Sequence, residues 1–568
     1  MNNQDIARIF YSIAEILEIQ GENPFKIRAY IKAAQTVESY TKELSEIKDT
    51  EELKDLPGIG EKIALKIKEL LETGKLEMYE KLKKSEFAPL VELLEVPGMG
   101  PKHVRLVYDE LGIKTLDQLE KAARRGKLKE LPGLGEKTEQ NILKGIEQER
   151  RHKERYPIGE ILPKAESVIS QLQKAREVKD ISLGGSLRRM KETIGDVDIL
   201  VSSLKPKAVS DAFVKLTEVQ NILSQGPTKS SIVTKDGIQM DLRVVKPESY
   251  GAAQHYFTGS KAHNIRIRSL GIDRGLKVNE YGVFKGKKSV AGKTEEEVFK
   301  SVGLTYIPPE MREDWGEIEA AQKKKLPHLI ELKDIQGDLH IHSNWTDGRS
   351  TIEEMAKAAQ KIGYQYIALC DHSPTIGVTN GLTPERLEKR KKEIDRLNRK
   401  FKNFKILNGI EVDIKPDGKT DLDDEILKKL DIVVGAVHTR FSLPKEEMTR
   451  RIIKAIENPC VHIIAHPTGR LLGKRDPYEV DMDKLLDAAR ANQKIMELNA
   501  FPARLDLNDL HCRKAKEKGV KVVISTDAHW TEHLHWIKYG IATARRGWLE
   551  PEDVVNTLSL EKLLKYLK

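Results

Sequence analysis

The stretch "LGGSLRRMKETIGDVDILV", Leu183 to Val201, ends in an apolar run that carries two aspartates, Asp196 and Asp198, two residues apart. In an extended strand alternate side chains share a face, so both carboxylates reach one point. A third acid, Asp241, lies in the strand-like "IQMDLRVV" and is placed to join them from a neighbouring strand. Three carboxylates held together repel unless cations sit between them, and oxygen donors suit Mg²⁺ or Mn²⁺. Two such ions at one site would activate an attacking oxygen and stabilise a leaving one. Upstream, Gly184, Gly185 and Ser186 open a helix-like stretch, which offers backbone N–H groups to a phosphate with arginines adjacent. Two aspartates at this spacing ordinarily mark an exposed edge or a turn. The glycine turn before them and the third acid after them argue for a site.

Toward the N-terminus a motif repeats: "LPGIGEKIALKI" from Leu56, "VPGMGPKHVRLV" from Val96 and "LPGLGEKTEQNI" from Leu131. Each reads apolar-Pro-Gly-x-Gly followed by apolar residues at helical spacing, and the periodicity up to about Arg150 predicts helices without strands. Toward the C-terminus strand-like runs alternate with amphipathic helical ones. They are "DLHIH", "YIALCDH", "KILNGIEVD", "DIVVGAVH", "VHIIAH", "KIMELNA" and "KVVISTDAH", and seven strands separated by helices predict a parallel α/β barrel. His340, His342, Asp347, His372, Glu411, His438, His466, Asp527 and His529 lie almost all at the C-terminal ends of these strands, which converge on one rim of a barrel. Nine such side chains exceed what one ion needs. Two or three ions fit, and mixed imidazole and carboxylate ligation suits Zn²⁺ or Mn²⁺ rather than Ca²⁺. Any one of these histidines alone would more ordinarily be structural.

At 568 residues the chain exceeds a single core. A net charge of +9 fits a polyanionic partner without demanding one. Cys370, Cys460 and Cys512 are far apart, which argues against a disulfide framework and for a reducing cytosol. The first residues lack a signal-peptide layout and no long uncharged apolar run follows, so no membrane partner is expected.

The Gly-Gly-Ser turn with its arginines, "GDVD", Asp241 and "YFTGS" (Tyr256–Ser260) together resemble family X DNA polymerases of the polymerase beta type. The resemblance implies that Asp196 and Asp198 bridge two metal ions, Mg²⁺ or Mn²⁺, and that Asp241 binds the catalytic one beside a primer 3′-hydroxyl. Gly185, Ser186 and Arg189 would hold the triphosphate. Tyr256, Phe257 and Gly259 would line the sugar, Asn264 would touch the incoming base, and Arg268 would reach the minor groove. Gln239 stands where relatives carry an arginine, which leaves the orientation of Asp241 open. Lys261 stands where the vertebrate enzyme has an acid, and its charge is expected to strengthen nucleotide binding.

The Pro-Gly-x-Gly turns resemble helix-hairpin-helix motifs, in which Gly58, Gly60, Gly98, Gly100, Gly133 and Gly135 would let backbone N–H groups face DNA phosphates regardless of sequence. "NPFKIRAYIKAA" (Asn23–Ala34) and "GEKIALKIKELLETGKLE" resemble the family's small lyase domain, where Lys66 would be the Schiff-base nucleophile with Lys26, Tyr30 and Lys62 nearby. Phe25 replaces a histidine of that pattern. The last part is similar to PHP domains with every ligand position filled, which implies a working phosphoesterase holding two or three Zn²⁺ or Mn²⁺ ions. Arg470 in "HPTGR" is a candidate phosphate clamp there, or a surface arginine.

Together the signatures predict a multidomain α+β and α/β protein. A small helical DNA-binding and lyase-like domain spans 1–85, a second helical region with two hairpin motifs 86–150, a palm 151–250, a thumb 251–316, a polar linker 317–335 and a (β/α)7-type PHP barrel 336–568. The arrangement resembles DNA polymerase X of bacteria and archaea. It implies a monomeric cytoplasmic enzyme that takes gapped or nicked DNA and dNTPs and fills gaps in base excision repair or end mending. A 3′–5′ exonuclease, and with it abasic-site endonuclease and deoxyribose-phosphate lyase activity, would accompany synthesis. Alternatives are a barrel acting as a small-molecule or 3′-end phosphatase, or a DNA-end scaffold with relic sites.

Overall fold

The computed structural model describes every residue except 2, 41–43, 45–46, 48–49, 57, 95, 97, 153–154 and 376–378. The prolines of the first two hairpin motifs therefore lie outside the described residues. The chain divides into two compact units, Met1–Glu154 and Arg155–Lys568.

Among its described residues the first unit contains only helices, including Asn3–Ile19, Pro24–Ser39, Glu61–Thr73, Pro101–Leu111 and Glu136–His152. Gly58, Gly98 and Gly133 take φ of +82°, +94° and +83°. An L side chain is strained in that region, so each hairpin needs glycine there. Two residues on, Gly60 and Gly100 cap the following helices with extended backbone and no side-chain cap.

In the second unit five strands form the palm sheet: β1 (Asp180–Leu183), β2 (Val197–Ser202), β3 (Val219–Gln225), β4 (Lys229–Thr234) and β5 (Gln239–Val245). Their order is β1-β2-β5-β4-β3, with β2 and β5 parallel and the other pairs antiparallel. Val197, Ile199 and Val201 of β2 point into the palm core, which puts Asp198 on the opposite face. A thumb follows, built from helices Tyr250–Thr258, Lys261–Ile272 and Glu295–Ser301 around a small three-stranded sheet.

The barrel strands are β6 (Gly337–Ile341), β7 (Tyr366–Leu369), β8 (Lys405–Asp413), β9 (Ile432–Ala436), β10 (Ile463–Ile464), β11 (Ile495–Asn499) and β12 (Val522–Ser525). They pair in sequence order and in parallel. Beyond β6 and β12 the ring closes through the backbone, with the His342 N–H donating to Ala528 O at 2.8 Å and the Asp527 N–H to His340 O at 3.0 Å. Alternation explains the unbroken apolar runs. Tyr366, Ala368, Ile432, Val434 and Val523 fill one cluster, while Ile367, Leu369, Val433, Val522 and Ile524 pack in another.

The segment 317–335, expected as a polar linker, is packed against the body. Leu329 and Ile330 are buried, and the Ile330 N–H donates to Leu549 O. The barrel is docked on the palm: Leu505 and Tyr539 are buried in the palm core, with Leu472 and Trp536 against it. A Cβ on Gly159 of the palm would lie 2.3 Å from Pro502 Cβ, so glycine is required for that approach. No described helix is long and apolar enough to cross a membrane.

Candidate active sites

In the palm, Asp198 of β2 and Asp241 of β5 are direct register partners on parallel strands. Asp196 precedes Asp198 by two positions. Burial, then the charges of Asp196 and Asp241, push the Asp198 carboxyl up to about 7, so the three acids share one locale. The Gln239 side-chain amide donates to Asp241 Oδ1 at 3.2 Å, so the residue that departs from the family pattern orients this carboxylate. Gly185, with φ of +56°, lies so close that a Cβ there would be 2.4 Å from Asp198 Oδ2. Ser186 follows in the turn of helix Gly185–Arg188.

Arg189 is near enough for its charge to act on Asp198. Its Nη1 donates to the Thr258 carbonyl at 2.5 Å and its Nε to Glu313 Oε1 at 3.0 Å. Tyr256 and Phe257 stack edge to face, Gly259 has φ of +70°, and Lys261 begins the next helix in the open. Asn264 donates from Nδ2 to the Tyr256 carbonyl at 2.7 Å, and Arg268 is exposed on the same helix. The sequence reading missed Arg243, two residues beyond Asp241. Its guanidinium lies over the Phe257 ring and draws down the Asp198 carboxyl. The same period-two rule that placed Asp198 would have found it.

At the barrel rim the side chains form three interlocking groups: His342, Asp347, His372 and His529; His340, His342 and Asp527; and His372, Glu411 and His438. Within each group the donor atoms all lie within 4.8 Å of one another. His466 joins through Nε2, 3.2 Å from Glu411 Oε1. All nine expected side chains thus meet at one place. Burial, with Arg504 and other charges, lowers His466 to about 4, and burial beside His529 and His372 does the same to His342. Against burial, the Glu411 carboxylate raises His372 to about 10. The donor set fits divalent metal ions: imidazole and carboxylate converge, with His372 Nδ1 2.7 Å from Glu411 Oε2, and Nδ1 of His342 and His466 is buried without a hydrogen-bond partner.

Two residues behind this cluster went unread in the sequence. Glu497, wholly buried on β11, accepts from His340 Nδ1 at 2.7 Å and fixes that ring with Nε2 toward the cluster. Arg504, on the loop after β11, lies 3.9 Å from Asp527 Oδ2, and its Nε and Nη1 are buried without hydrogen-bond partners. Glu497 was legible as an acid inside an apolar strand. Arg504 had no local signal.

Two expectations are corrected. Arg470 is not a clamp at the rim. It donates to Glu192 Oε2 of the palm at 2.6 Å and to the Arg504 and Leu505 carbonyls, because docking buries it and a buried guanidinium requires a partner. Tyr30 does not face DNA. It is 3% exposed in the core of the first unit, edge-on to Phe10, with its hydroxyl on Met78 Sδ. Lys26, paired with Glu22, is at the surface with Lys62. Lys66 lies on the exposed side of the same helix in a cleft shared with Glu69, Glu77 and Lys81.

Comparison with known proteins follows this division. Models match a "Helix-hairpin-helix domain" at residues 1–76, a "SAM-like Helix-hairpin-helix tandem" at 90–148, a "DNA polymerase beta thumb" at 253–313 and a "PHP domain" at 338–501. A Bacillus subtilis protein named DNA polymerase/3'-5' exonuclease PolX is 41% identical over 572 residues, covering 100% of both chains. The chain belongs to the DNA polymerase X family. A DNA polymerase lambda of Arabidopsis thaliana is 27% identical over 55% of this chain and 62% of that one. A probable phosphatase of a Thermoanaerobacter species is 32% identical over 41% of this chain and 94% of its own length.

Proposed function

We propose that this DNA polymerase and 3′–5′ exonuclease fills short gaps in duplex DNA at the palm and trims 3′ ends at the barrel rim, in base excision repair and the mending of broken ends. The observation that carries the reading is the presence of two separate clusters in one chain, carboxylates on and just before two adjacent palm strands and, on the barrel rim, eight side chains in three groups with His466 beside them.

At the palm, Asp196, Asp198 and Asp241 would hold two Mg²⁺ or Mn²⁺ ions, with Gln239 orienting Asp241. Gly185, Ser186 and Arg189 would receive the triphosphate. Tyr256, Phe257 and Gly259 line the sugar, while Asn264 and Arg268 face the nascent pair and Lys261 adds positive charge. At the rim the three interlocking groups support up to three ions, Zn²⁺ or Mn²⁺, and Arg504 takes the clamp role on the phosphate. Such ions supply Lewis acidity and neutralise charge at phosphorus. Gly58, Gly60, Gly98, Gly100, Gly133 and Gly135 would grip the DNA backbone, with Lys26 and Lys62 adding charge. Lys66 would serve as the lyase nucleophile at an abasic 5′ end, which borohydride trapping on parent and Lys66→Ala chains tests.

The decisive experiment uses 3′-labelled DNA with a one-nucleotide gap. Asp196→Ala should abolish nucleotide addition and spare 3′ trimming, and His342→Ala the reverse. Loss of both activities in either variant would sink the division of labour. A second reading, a phosphatase at the rim, is favoured by the chain's likeness to proteins named as probable phosphatases. Release of phosphate from a 3′-phosphorylated oligonucleotide or a free sugar phosphate, without shortening of a 3′-hydroxyl strand, would establish it instead.

A further inference from the structure

The nucleotide pocket of the palm is wired to the barrel through one buried chain of charge. Glu313 Oε1 accepts from Arg189 Nε at 3.0 Å and from Nη1 of Arg546, also at 3.0 Å. Arg546 ends the barrel helix Ile537–Arg546 and is 3% exposed. The same Nη1 donates to the main-chain oxygen of Arg189 at 3.0 Å. On its far side Arg546 binds Asp509 Oδ2 through Nε at 2.9 Å. Burial would raise the Asp509 carboxyl, but Arg546 and Lys191 hold it down at about 2, so it stays charged. Lys191 approaches Glu313 at 3.9 Å and completes the group.

We infer that Arg546 of the barrel is a positioning residue of the polymerase site, acting through Glu313 on Arg189. The inference rests on the reading that Arg189 holds the triphosphate. Its physics is charge sharing. Glu313 divides its acceptor capacity between two guanidinium groups, so Arg189 keeps unneutralised charge for an anion. Without Arg546, Glu313 keeps Arg189 as its one hydrogen-bonded guanidinium, with Lys191 further off at 3.9 Å, and the main-chain oxygen of Arg189 loses its donor. Arg189 is then drawn toward Glu313 and away from the nucleotide. The neighbouring Arg545 supplies an internal control. It binds Glu310 at 2.7 Å and the Ile330 carbonyl in the same junction, and its side chain is directed to these groups and not to Glu313 or Arg189.

The test titrates dNTP in gap filling by the full chain and follows gapped-DNA affinity, 3′ trimming and thermal stability beside it. Arg546→Met is expected to raise the KM for dNTP roughly tenfold, the scale of one lost charge-assisted hydrogen bond, with kcat and DNA affinity unchanged. Arg546→Lys should fall between, and adding Glu313→Gln to Arg546→Met should return KM toward the parent value. Arg545→Met should lower stability and leave KM within about twofold, since it removes contacts of the same kind away from the pocket. If Arg546→Met raises KM no more than Arg545→Met, the proposal is overturned and Arg546 is interface alone. Should Arg546→Met not fold, Arg546→Lys against Arg545→Met decides by the same comparison. An unchanged KM in Arg189→Ala would instead defeat the underlying reading of the triphosphate site.

Discussion

Asp198 shows what gathering three carboxylates costs a fold. Burial and the charges of Asp196 and Asp241 raise its carboxyl to about 7, from an ordinary value of 3.8. An acid whose folded value is raised penalises the folded state when ionised. The penalty grows as pH rises from about 4 to about 7 and persists above that range. Asp198→Asn is therefore expected to melt higher than the parent at pH 8 in chelator. It should also lose the rise in Tm that Mn²⁺ gives the parent, because a ligand that binds only the folded state stabilises it. Calorimetry with and without Mn²⁺ checks both, and an Asn variant melting lower in chelator would contradict the account. At this scale the sequence was informative. The spacing of Asp196 and Asp198 follows from strand period alone, and the imidazoles at strand ends follow from barrel geometry.

Among the elements, the helix Glu295–Ser301 locks thumb to palm. Glu295 is 3% exposed and receives Arg188 at 2.8 and 2.6 Å and Arg312 at 2.5 Å. Burial would raise its carboxyl, but the two guanidinium groups override it and hold it at about 2, against 4.5 for a free glutamate. An acid lowered in this way stabilises the fold above its unfolded value, and the contribution fades as pH falls from about 4.5 toward 2. The size is about 3 kcal/mol. Glu295→Gln should lose about that much at pH 7 and converge with the parent near pH 2, read from denaturant unfolding at each pH. A constant gap across that range would refute it. The sequence placed Arg188 beside a phosphate. Its partner stands 107 residues away, beyond the reach of any local pattern.

At the scale of the molecule, Arg155–Lys568 forms one compact unit, and residues of the barrel complete the core of the palm. Tyr539→Ala, cut from that shared core, should cost about 3 kcal/mol or more. Because the core is shared, gap filling and 3′ trimming should be lost at the same lowered temperature when the variant is heated in steps and each activity is assayed. Trimming that outlasts synthesis by several degrees would show that the barrel stands alone. The packed segment 317–335 belongs to the same argument: it joins the body through Leu329 and Ile330 instead of spacing two domains.

What the sequence determined by itself are features whose cause is local. Period two put acids on one strand face, φ above zero demanded glycine in three hairpins, and alternating apolar runs announced a parallel barrel. What only the tertiary structure decided is which charge meets which. Arg470 went to Glu192, Arg188 to Glu295 and Tyr30 to a core, while Arg504 was left facing the metal-ligand cluster. The reason is physical. A guanidinium taken out of water is stabilised by a carboxylate or carbonyl within about 3 Å, and whether one is near, as for Arg470 and Arg188, or not, as for Nε and Nη1 of Arg504, depends on how distant loops are docked, not on neighbours along the chain.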